Sequence, residues 1–326
     1  MIRNQWDIVL DSGQIKQDPV GVTRLGEKLV FWRDQQGKLA CIADRCCHRG
    51  VMLSPGKLVE GRLQCPFHGF EYNSSGKVTL IPANGRHAPV PKVFKVDSYP
   101  VYENHDFIWI WWGDDPPDDL QPPRFFDDIE DGFSYAQLQD PWKAHYSRAI
   151  ENQLEAPHLP FVHHNTIGAS GRTIVDGPGI KWLDEDMFYV YIDYHQDNGR
   201  APLKPSEFPL EPDRAFKLEF IFPNLWQNHL GEANRIVVAF VPVDQENSVL
   251  YLRFYQKFVR FPVLRELVNW LAMPFNLYIL HQDRRVVETH QPGPSRLVDG
   301  ENLIPADHPI IEYRRRREIL KQLGNG

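Results

Sequence analysis

Every cysteine of the chain lies between Cys41 and Cys65, and two histidines belong to the same stretch, which runs on to His68. The ligand-type residues read Cys46-x-His48, then a sixteen-residue spacer, then Cys65-x-x-His68. A disulfide pairing would leave both histidines unexplained. A structural zinc site accepts two cysteines and two histidines, but the common zinc modules group like with like, as C-x2–4-C and H-x3–5-H. Here each short loop offers one sulfur and one nitrogen. A Rieske [2Fe–2S] centre uses that mixture, with two thiolates on one iron and two imidazoles on the other. Cys46 and Cys65 then serve one iron, and His48 and His68 the other. Neutral imidazole in place of thiolate raises the potential to roughly −150 to +300 mV, against about −400 mV for plant-type ferredoxins. Such a centre accepts electrons readily and passes them to a more oxidising site. Cys41, in the apolar run KLACIAD, reads as a small buried hydrophobe, and Cys47 falls outside the pattern.

A second set of ligand-type residues occurs in HYSRAIENQLEAPHLPFVHHNTIG, residues 145–168: Glu155, His158, His163 and His164. On an ideal helix a five-residue step turns about 500°, which leaves His158 and His163 roughly 140° apart. Pro157 and Pro160 interrupt the helix-forming SRAIENQLEA, and Pro160 lacks an N–H and clashes with the preceding turn. A widened or broken turn there would bring both imidazoles to one side. Two histidines and one carboxylate make the facial triad of non-haem Fe(II) oxygenases, which leaves a face of the metal open. Asp283, in LYILHQDRRVVETHQP, is the first candidate for the carboxylate and Glu288 the second. His164 reads as a supporting or surface residue.

The elements that must hold these groups are legible in outline. RGVMLSPGKLVEGRLQC reads as loop, turn and strand, with Gly50, Pro55, Gly56 and Gly61 as breakers. HGFEYNSSGKV continues as strand, turn and strand. The aromatic strand in DFIWIWWGDD closes a first domain over residues 1–113, and an Asp- and Pro-rich linker covers 114–132. Residues 133–326 form a second domain. Beyond residue 175 the sequence alternates like long antiparallel strands, so the fold class is α+β. Phe220, Phe222, Trp226 and His229 lie on or near those strands, as pocket wall or plain core. LVNWLAMPFNLYIL, residues 267–280, is too short to span a bilayer and reads as a buried or amphipathic helix, with a lipid-touching surface helix as the alternative. The tail HPIIEYRRRREILKQLG reads as a helix. Its Arg314–Arg317 run is either a solvated face or a docking patch for an acidic redox partner.

Composition excludes several classes. The 326 residues carry a formal charge of −7, which gives a nucleic-acid partner no electrostatic support. The opening MIRNQWDIVLDSG has no apolar core of a secretory signal. The expected location is the cytoplasm, where clustered cysteines bind metal more often than they form disulfides.

CCHRG…CPFHGFEYNSSGKVTLIPA resembles the Rieske segment of the Rieske non-haem iron oxygenases. The family's N-x-x-D-x-x-H-x4-H pattern is matched by Asn152-x-x-Glu155-x-x-His158-x4-His163, with Glu155 in place of the usual aspartate. HQDRRVVE resembles the family's late Asp-bearing helix. The resemblance implies an N-terminal all-β Rieske domain followed by a helix-grip catalytic domain, an antiparallel sheet around a long helix. It implies a [2Fe–2S] cluster on Cys46, His48, Cys65 and His68, and Fe(II) on His158, His163 and Asp283, with O2 as co-substrate. Glu155 would carry electrons between subunits of a homotrimer, with Asn152 behind it. Electrons would come from NAD(P)H through a separate ferredoxin or reductase, since the chain has no G-x-G-x-x-G of its own. The style of NQLEAPHLPFVHH is similar to that of the α-only members, such as vanillate O-demethylase and pheophorbide a oxygenase. That implies hydroxylation or oxidative demethylation of a small organic molecule, aromatic or cyclic. The alternatives are cis-dihydroxylation of an aromatic ring, or an electron carrier whose second site is inactive.

Overall fold

The computed structural model describes residues 1–114, 116–129, 132–210, 217–298 and 300–324. The chain divides into two compact units, Met1–Pro123 with Pro242–Asp244, and Arg124–Val241 with Gln245–Gly326. Asp115, Glu130 and Asp131 of the expected linker lie outside the described residues.

The first unit holds three small antiparallel sheets. Its strands are β1 (Gln5–Asp11), β2 (Val20–Arg24), β3 (Glu27–Arg33), β4 (Leu39–Ala43), β5 (Lys57–Val59), β6 (Arg62–Gln64), β7 (Glu71–Tyr72), β8 (Val78–Leu80), β9 (Val101–Asn104) and β10 (Phe107–Trp112). They pair in the orders β1-β10-β9, β2-β3-β4 and β5-β6-β7-β8. Strand β3 shows why the unit holds together. Its side chains alternate between faces, and both faces are buried. Leu29 and Phe31 join Cys41, Ile108 and Ile110 in one core. Val30 and Trp32 join Ile42, Leu63 and Tyr72 in another, which also contains Cys46 and Cys65. Cys41 is thus the buried hydrophobe its sequence suggests, fully shielded from water.

The second unit is built on a seven-stranded antiparallel sheet. It contains β11 (Ser134–Trp142), α1 (Tyr146–Leu154), α2 (Leu159–Val162), β12 (Ile174–Trp182), β13 (Met187–His195), β14 (Lys217–Ile221), β15 (Leu225–His229), β16 (Asn234–Pro242), β17 (Ser248–Gln256), α3 (Pro262–Val287) and α4 (His308–Gly324). The strand order is β11-β17-β16-β15-β14-β13-β12. Long helix α3 packs on β11 and β17, and α1 packs on both α3 and α4. This is the α+β arrangement expected: small β sheets first, then a large antiparallel sheet with helices.

The Arg314–Arg317 run is not a free basic patch. Arg314 and Arg317 are each 3% exposed. Arg314 makes two hydrogen bonds to Glu151, at 2.8 and 2.9 Å, and pairs with Glu301 at 2.7 Å. Arg148 pairs with the same two carboxylates, at 3.0 and 2.8 Å. Arg317 donates to the Ser295 hydroxyl and carbonyl. Helical periodicity turns these two arginines inward, where Arg314 ties α4 to α1 and Arg317 ties it to the segment at Ser295. Among the described residues no helix is long and apolar enough to cross a membrane.

Candidate metal centres

The two cysteine–histidine loops close in the same way. The Cys46 N–H donates to the Val51 carbonyl at 2.8 Å, and the Gly50 N–H to the Cys46 carbonyl at 2.9 Å. In the other loop the Cys65 N–H donates to Phe70 at 2.8 Å and the Gly69 N–H to Cys65 at 3.1 Å. Gly50 and Gly69 sit at φ +73° and +72°, a conformation that favours glycine. Each loop therefore folds a buried sulfur back against a histidine held at the surface. Cys46 and Cys65 are 3% and 2% exposed, whereas His48 and His68 are open to solvent, with rings 4.7 Å apart. The His48 ring lies flat on Phe70 at 4.8 Å. Burial raises the Cys65 pKa, and the backbone N–H groups of Phe67 and His68 aimed at its sulfur oppose this by favouring the thiolate. The Tyr72 hydroxyl lies 3.1 Å from the Cys46 sulfur and 3.2 Å from that of Cys47. Two inner sulfurs and two outer imidazoles on paired loops fit a [2Fe–2S] group with one iron of each kind.

In the second unit, α1 begins at His145, whose Nδ1 accepts from the Ser147 N–H. It ends at Glu155, where the backbone turns extended (φ −98°, ψ 152°) two residues before Pro157. Helices commonly end at or before the residue preceding a proline. The break therefore lies ahead of His158, at the first of the two interrupting prolines, and not at Pro160, where a widened turn is expected to realign the rings. Pro160 sits in the first turn of α2, where its missing N–H removes no helical bond. His158 opens that short helix, and His163 closes it with non-helical angles (φ −106°, ψ 26°). The unwinding at His163 brings the two rings to 5.3 Å, centre to centre.

The outcome is a group of three. Ligand atoms of His158, His163 and Asp283 all lie within 4.8 Å of one another. Nε2 of His163 is 2.9 Å, and Nε2 of His158 3.6 Å, from Asp283 Oδ1. That oxygen is buried and has no hydrogen-bond partner. Its companion Oδ2 accepts from Gln153 at 3.2 Å. The far nitrogens of both rings are engaged. His158 Nδ1 donates to Glu155 Oε1 at 2.6 Å, and His163 Nδ1 to Gln282 Oε1 at 2.9 Å. With the proton held on Nδ1, each Nε2 turns a lone pair toward the orphaned carboxylate oxygen. Burial works against protonation of His158, but the Glu155 hydrogen bond and the Glu155 and Asp283 charges raise its pKa overall. The same carboxylates that favour the proton also favour a cation. Two nitrogens and one oxygen meeting from three sides fit a mononuclear non-haem iron.

Other candidates sit elsewhere. Glu288 accepts from Arg284 Nε and from the Lys143 N–H, each at 2.8 Å, outside the group. His164 is exposed. Asn152 is buried beside the group's helix, with its amide nitrogen unpartnered. Sequence reasoning misses Gln153 and Gln282. Only Gln282 carries a signal, as the neighbour of Asp283. A second cluster, Asp128, Glu219 and His229, lies on the opposite face of the sheet from the cavity. There Lys217 and Arg235 already neutralise the carboxylates, at 2.5 and 2.6 Å.

The triad opens into a cavity of 390 Å³. Its floor is one face of the sheet: Leu218, Trp226, Asn228, Ile236, Val238 and Leu252. Period-two alternation aligns them, and Trp226 faces Val238 and Asn228 faces Ile236 across the β15–β16 pair. Trp226 is thus wall. Phe220 and Phe222 pack on Tyr313 instead, and His229, on the other face, binds Glu219. The Asn228 carbonyl oxygen and the Trp226 indole N–H have no protein partner.

Known proteins carry the same two modules in the same order. Residues 5–100 match the Rieske [2Fe-2S] domain, and residues 142–322 match the vanillate O-demethylase oxygenase C-terminal domain. The chain belongs to the Rieske non-haem iron oxygenases of the vanillate O-demethylase type. It is 33% identical to chlorophyllide a oxygenase of Arabidopsis thaliana over 98% of this chain and 58% of that protein. It is 30% identical to a putative toluene-4-sulfonate monooxygenase iron-sulfur subunit of Comamonas testosteroni, over 62% of this chain and 61% of that one. It is also 30% identical to the vanillate O-demethylase oxygenase subunit of a Pseudomonas strain, over 61% of this chain and 54% of that one. Each alignment thus spans little more than half of the relative. The fold is shared with a QL mutant of Pseudomonas putida CBB5 NdmA, solved with theobromine, at TM-score 0.80 and 23% identity over 99% and 92% of the two chains. It is shared with dicamba monooxygenase at TM-score 0.75 and 20% identity, over 99% and 98%.

Proposed function

We propose that this chain is the terminal component of a Rieske monooxygenase that hydroxylates or oxidatively demethylates a largely apolar, cyclic organic molecule. The observation that carries the reading is the group His158, His163 and Asp283, with an unpartnered buried oxygen, opening into an apolar cavity of 390 Å³. His158, His163 and Asp283 are its iron ligands, and Cys46, Cys65, His48 and His68 hold the cluster. When bound, the iron supplies O2 activation with electrons relayed by the cluster. Glu155 and Gln282 fix the two imidazoles, and Gln153 fixes the carboxylate. The aliphatic floor excludes water from the reacting face, and Asn228 and Trp226 are free to hold a polar group of the substrate. Relatives named as a demethylase and as a monooxygenase support this choice of reaction.

Electrons reach the cluster from a partner ferredoxin or NAD(P)H-dependent reductase. The two donor sets belong to separate units, so a homotrimer with head-to-tail contacts would pair the cluster of one chain with the triad of the next. Glu155 would then bridge to His48 or His68 of its neighbour. Four cysteines outside any disulfide, two of them cluster ligands, favour a reducing compartment such as the cytoplasm.

The test is oxygen uptake with a surrogate NADH-dependent reductase, across a panel of methoxylated and methylated aromatic and heterocyclic compounds. The expected result is uptake that depends on one structural class, with formaldehyde or a hydroxylated product. Reduction and air reoxidation of the cluster with no substrate-dependent uptake, and no iron beyond the cluster, would favour an electron carrier.

A further inference from the structure

Helix α3 has two dissimilar halves. Its C-terminal half is buried at Leu280, Gln282, Asp283 and Val287, where it supplies the third member of the triad. Its N-terminal half presents large apolar side chains to solvent: Val263 at 75% exposed, Leu264 at 49%, Leu267 at 48%, Trp270 at 67%, Leu271 at 57%, Phe275 at 55% and Tyr278 at 50%. At about 100° per residue, these seven and Pro274 fall within an arc of roughly 140°. Between Val263 and Tyr278 no charged or amide side chain interrupts the arc. The opposite side carries Asn269, which is buried and donates to Ser134 Oγ. The exposed arc is therefore a continuous apolar stripe about four turns long. Scattered apolar residues on a surface are ordinary, but a stripe of this extent marks a surface that something covers.

Three observations specify what covers it. The first is charge. From Lys257 to Leu280 the sequence has three cations, Lys257, Arg260 and Arg265, against one anion, Glu266, in a chain whose formal charge is −7. All lie at or just before the start of the helix, beside the stripe and not within it. The second is the kind of apolar residue. Phe258 and Phe261, exposed by 54% and 68%, precede the helix, and Trp270 and Tyr278 lie on it. Aromatic side chains such as these two, with a polar edge, concentrate at the boundary between lipid headgroups and hydrocarbon. The third is where the stripe leads. Phe275 belongs both to the stripe and to the wall of the cavity, with Ile279 and Leu280 beyond it. Ile167, 55% exposed, lines the same cavity, and Asn165 ties its segment to the Tyr278 hydroxyl at 3.3 Å.

We infer that the N-terminal half of α3 lies in the plane of a lipid surface bearing anionic headgroups, with the stripe in the acyl boundary and Lys257, Arg260 and Arg265 among the phosphates. An apolar face with basic flanks is the physical form of an interfacial helix that lies on a membrane without spanning it. Resting on the proposed function, this places the cavity mouth at the membrane. An apolar cyclic substrate dissolved in the bilayer then reaches the triad without crossing water. A second copy of this chain would suit a stripe closed by a polar rim on all sides. The cations gathered at one end, and the open cavity at the other, suit a lipid surface better.

The test is flotation of the purified, iron-loaded protein with vesicles of phosphatidylcholine alone or mixed with phosphatidylglycerol. The wild type is expected to float with the anionic vesicles, and more weakly with phosphatidylcholine alone. Leu267→Glu with Trp270→Glu is expected to reduce flotation about tenfold or more, because two charges enter the acyl boundary. Lys257→Glu with Arg260→Glu is expected to remove about tenfold of the phosphatidylglycerol dependence. Val93→Glu, at an exposed apolar site in the other unit, is expected to float like wild type. Should the glutamate variants lose the cluster spectrum, Trp270→Phe serves instead: it is expected to float but to lose the fluorescence quenching that brominated lipid produces in wild type. A wild type that stays with the lipid-free fraction overturns the inference. So does undiminished flotation of Leu267→Glu with Trp270→Glu, or quenching unchanged in Trp270→Phe. So does dissociation of an oligomer by Leu267→Glu in the absence of lipid, which would show the stripe to be covered by another copy. Each readout is independent of turnover, so failure of the proposed reaction leaves the lipid result standing on its own.

Discussion

Glu155 ends helix α1 and grips His158, three residues on, at both ends of the histidine: Oε1 accepts from the ring Nδ1 at 2.6 Å and Oε2 from the backbone N–H at 3.2 Å. The carboxylate thus fixes where the ring stands and which nitrogen keeps the proton. Removing its charge should leave metal in place and impair electron transfer between the two centres. Glu155→Gln is expected to retain both iron signals while single-turnover reoxidation of the cluster slows by roughly 10- to 100-fold. Glu155→Asp is expected to fall between, since the charge survives with a shorter reach. Wild-type reoxidation in the Gln variant, by stopped flow, would deny Glu155 this part.

Gln282 does the same for His163. Its Oε1 accepts from the ring Nδ1–H and from Thr166 Oγ1, at 2.9 and 2.8 Å, while its nitrogen donates to Asn165 at 2.7 Å. Gln282→Leu leaves a His163 ring free to change tautomer. It is expected to weaken affinity for the mononuclear iron by about 10- to 100-fold, read by competitive chelation, with the cluster spectrum unaltered. Equal iron retention in variant and wild type would contradict this.

The Tyr72 hydroxyl is placed to donate to the Cys46 sulfur. A hydrogen bond to a ligand sulfur stabilises the extra negative charge of the reduced cluster. Tyr72→Phe is therefore expected to lower the reduction potential. A bond of about 1 kcal/mol corresponds to roughly 40 mV for one electron. Spectroelectrochemical titration checks the sign: an unchanged or higher potential would count against it.

Glu151 sits between Arg148 and Arg314, all three nearly inaccessible to water. Glu151→Ala leaves two guanidinium groups buried without the carboxylate they share, and with the partly exposed Glu301 between them. Breaking a buried pair from one side costs about 3–5 kcal/mol. Urea denaturation is expected to show a loss of that size, and a smaller one for Glu301→Ala. A loss below about 1 kcal/mol would mean that water reaches the arginines.

Much of this site can be read from the chain because its chemistry is local. The Cys46–His48 and Cys65–His68 loops are short, and each is closed by its own backbone and one glycine, so spacing alone carries the geometry. His158 and His163 are visible for the same reason. Of the two prolines that the sequence offers as breakers, Pro157 acts first, through the residues before it, and Pro160 falls in a first turn where it breaks nothing. Asp283 is picked out by its own HQD segment, but its meeting with the two histidines and Gln153 depends on α3 packing against α1 and α2, which the sequence does not show. The inward turn of Arg314 and Arg317 is hidden likewise, since four consecutive arginines look alike until a buried Glu151 selects among them. The α3 stripe is legible as apolar. That it faces outward depends on which side Asn269 and Asp283 occupy, and this only the fold decides.

All of the proposed chemistry depends on an iron distinct from the cluster, held by His158, His163 and Asp283. Iron quantitation of anaerobically reconstituted protein is the decisive measurement, with the ferrous nitrosyl signal of the mononuclear site as a check. About three irons per chain are expected in wild type and in Glu288→Ala, and about two in Asp283→Ala and His158→Ala, with the Rieske spectrum intact in all four. Three irons and a full nitrosyl signal in Asp283→Ala, or loss of the third iron in Glu288→Ala, would contradict this assignment.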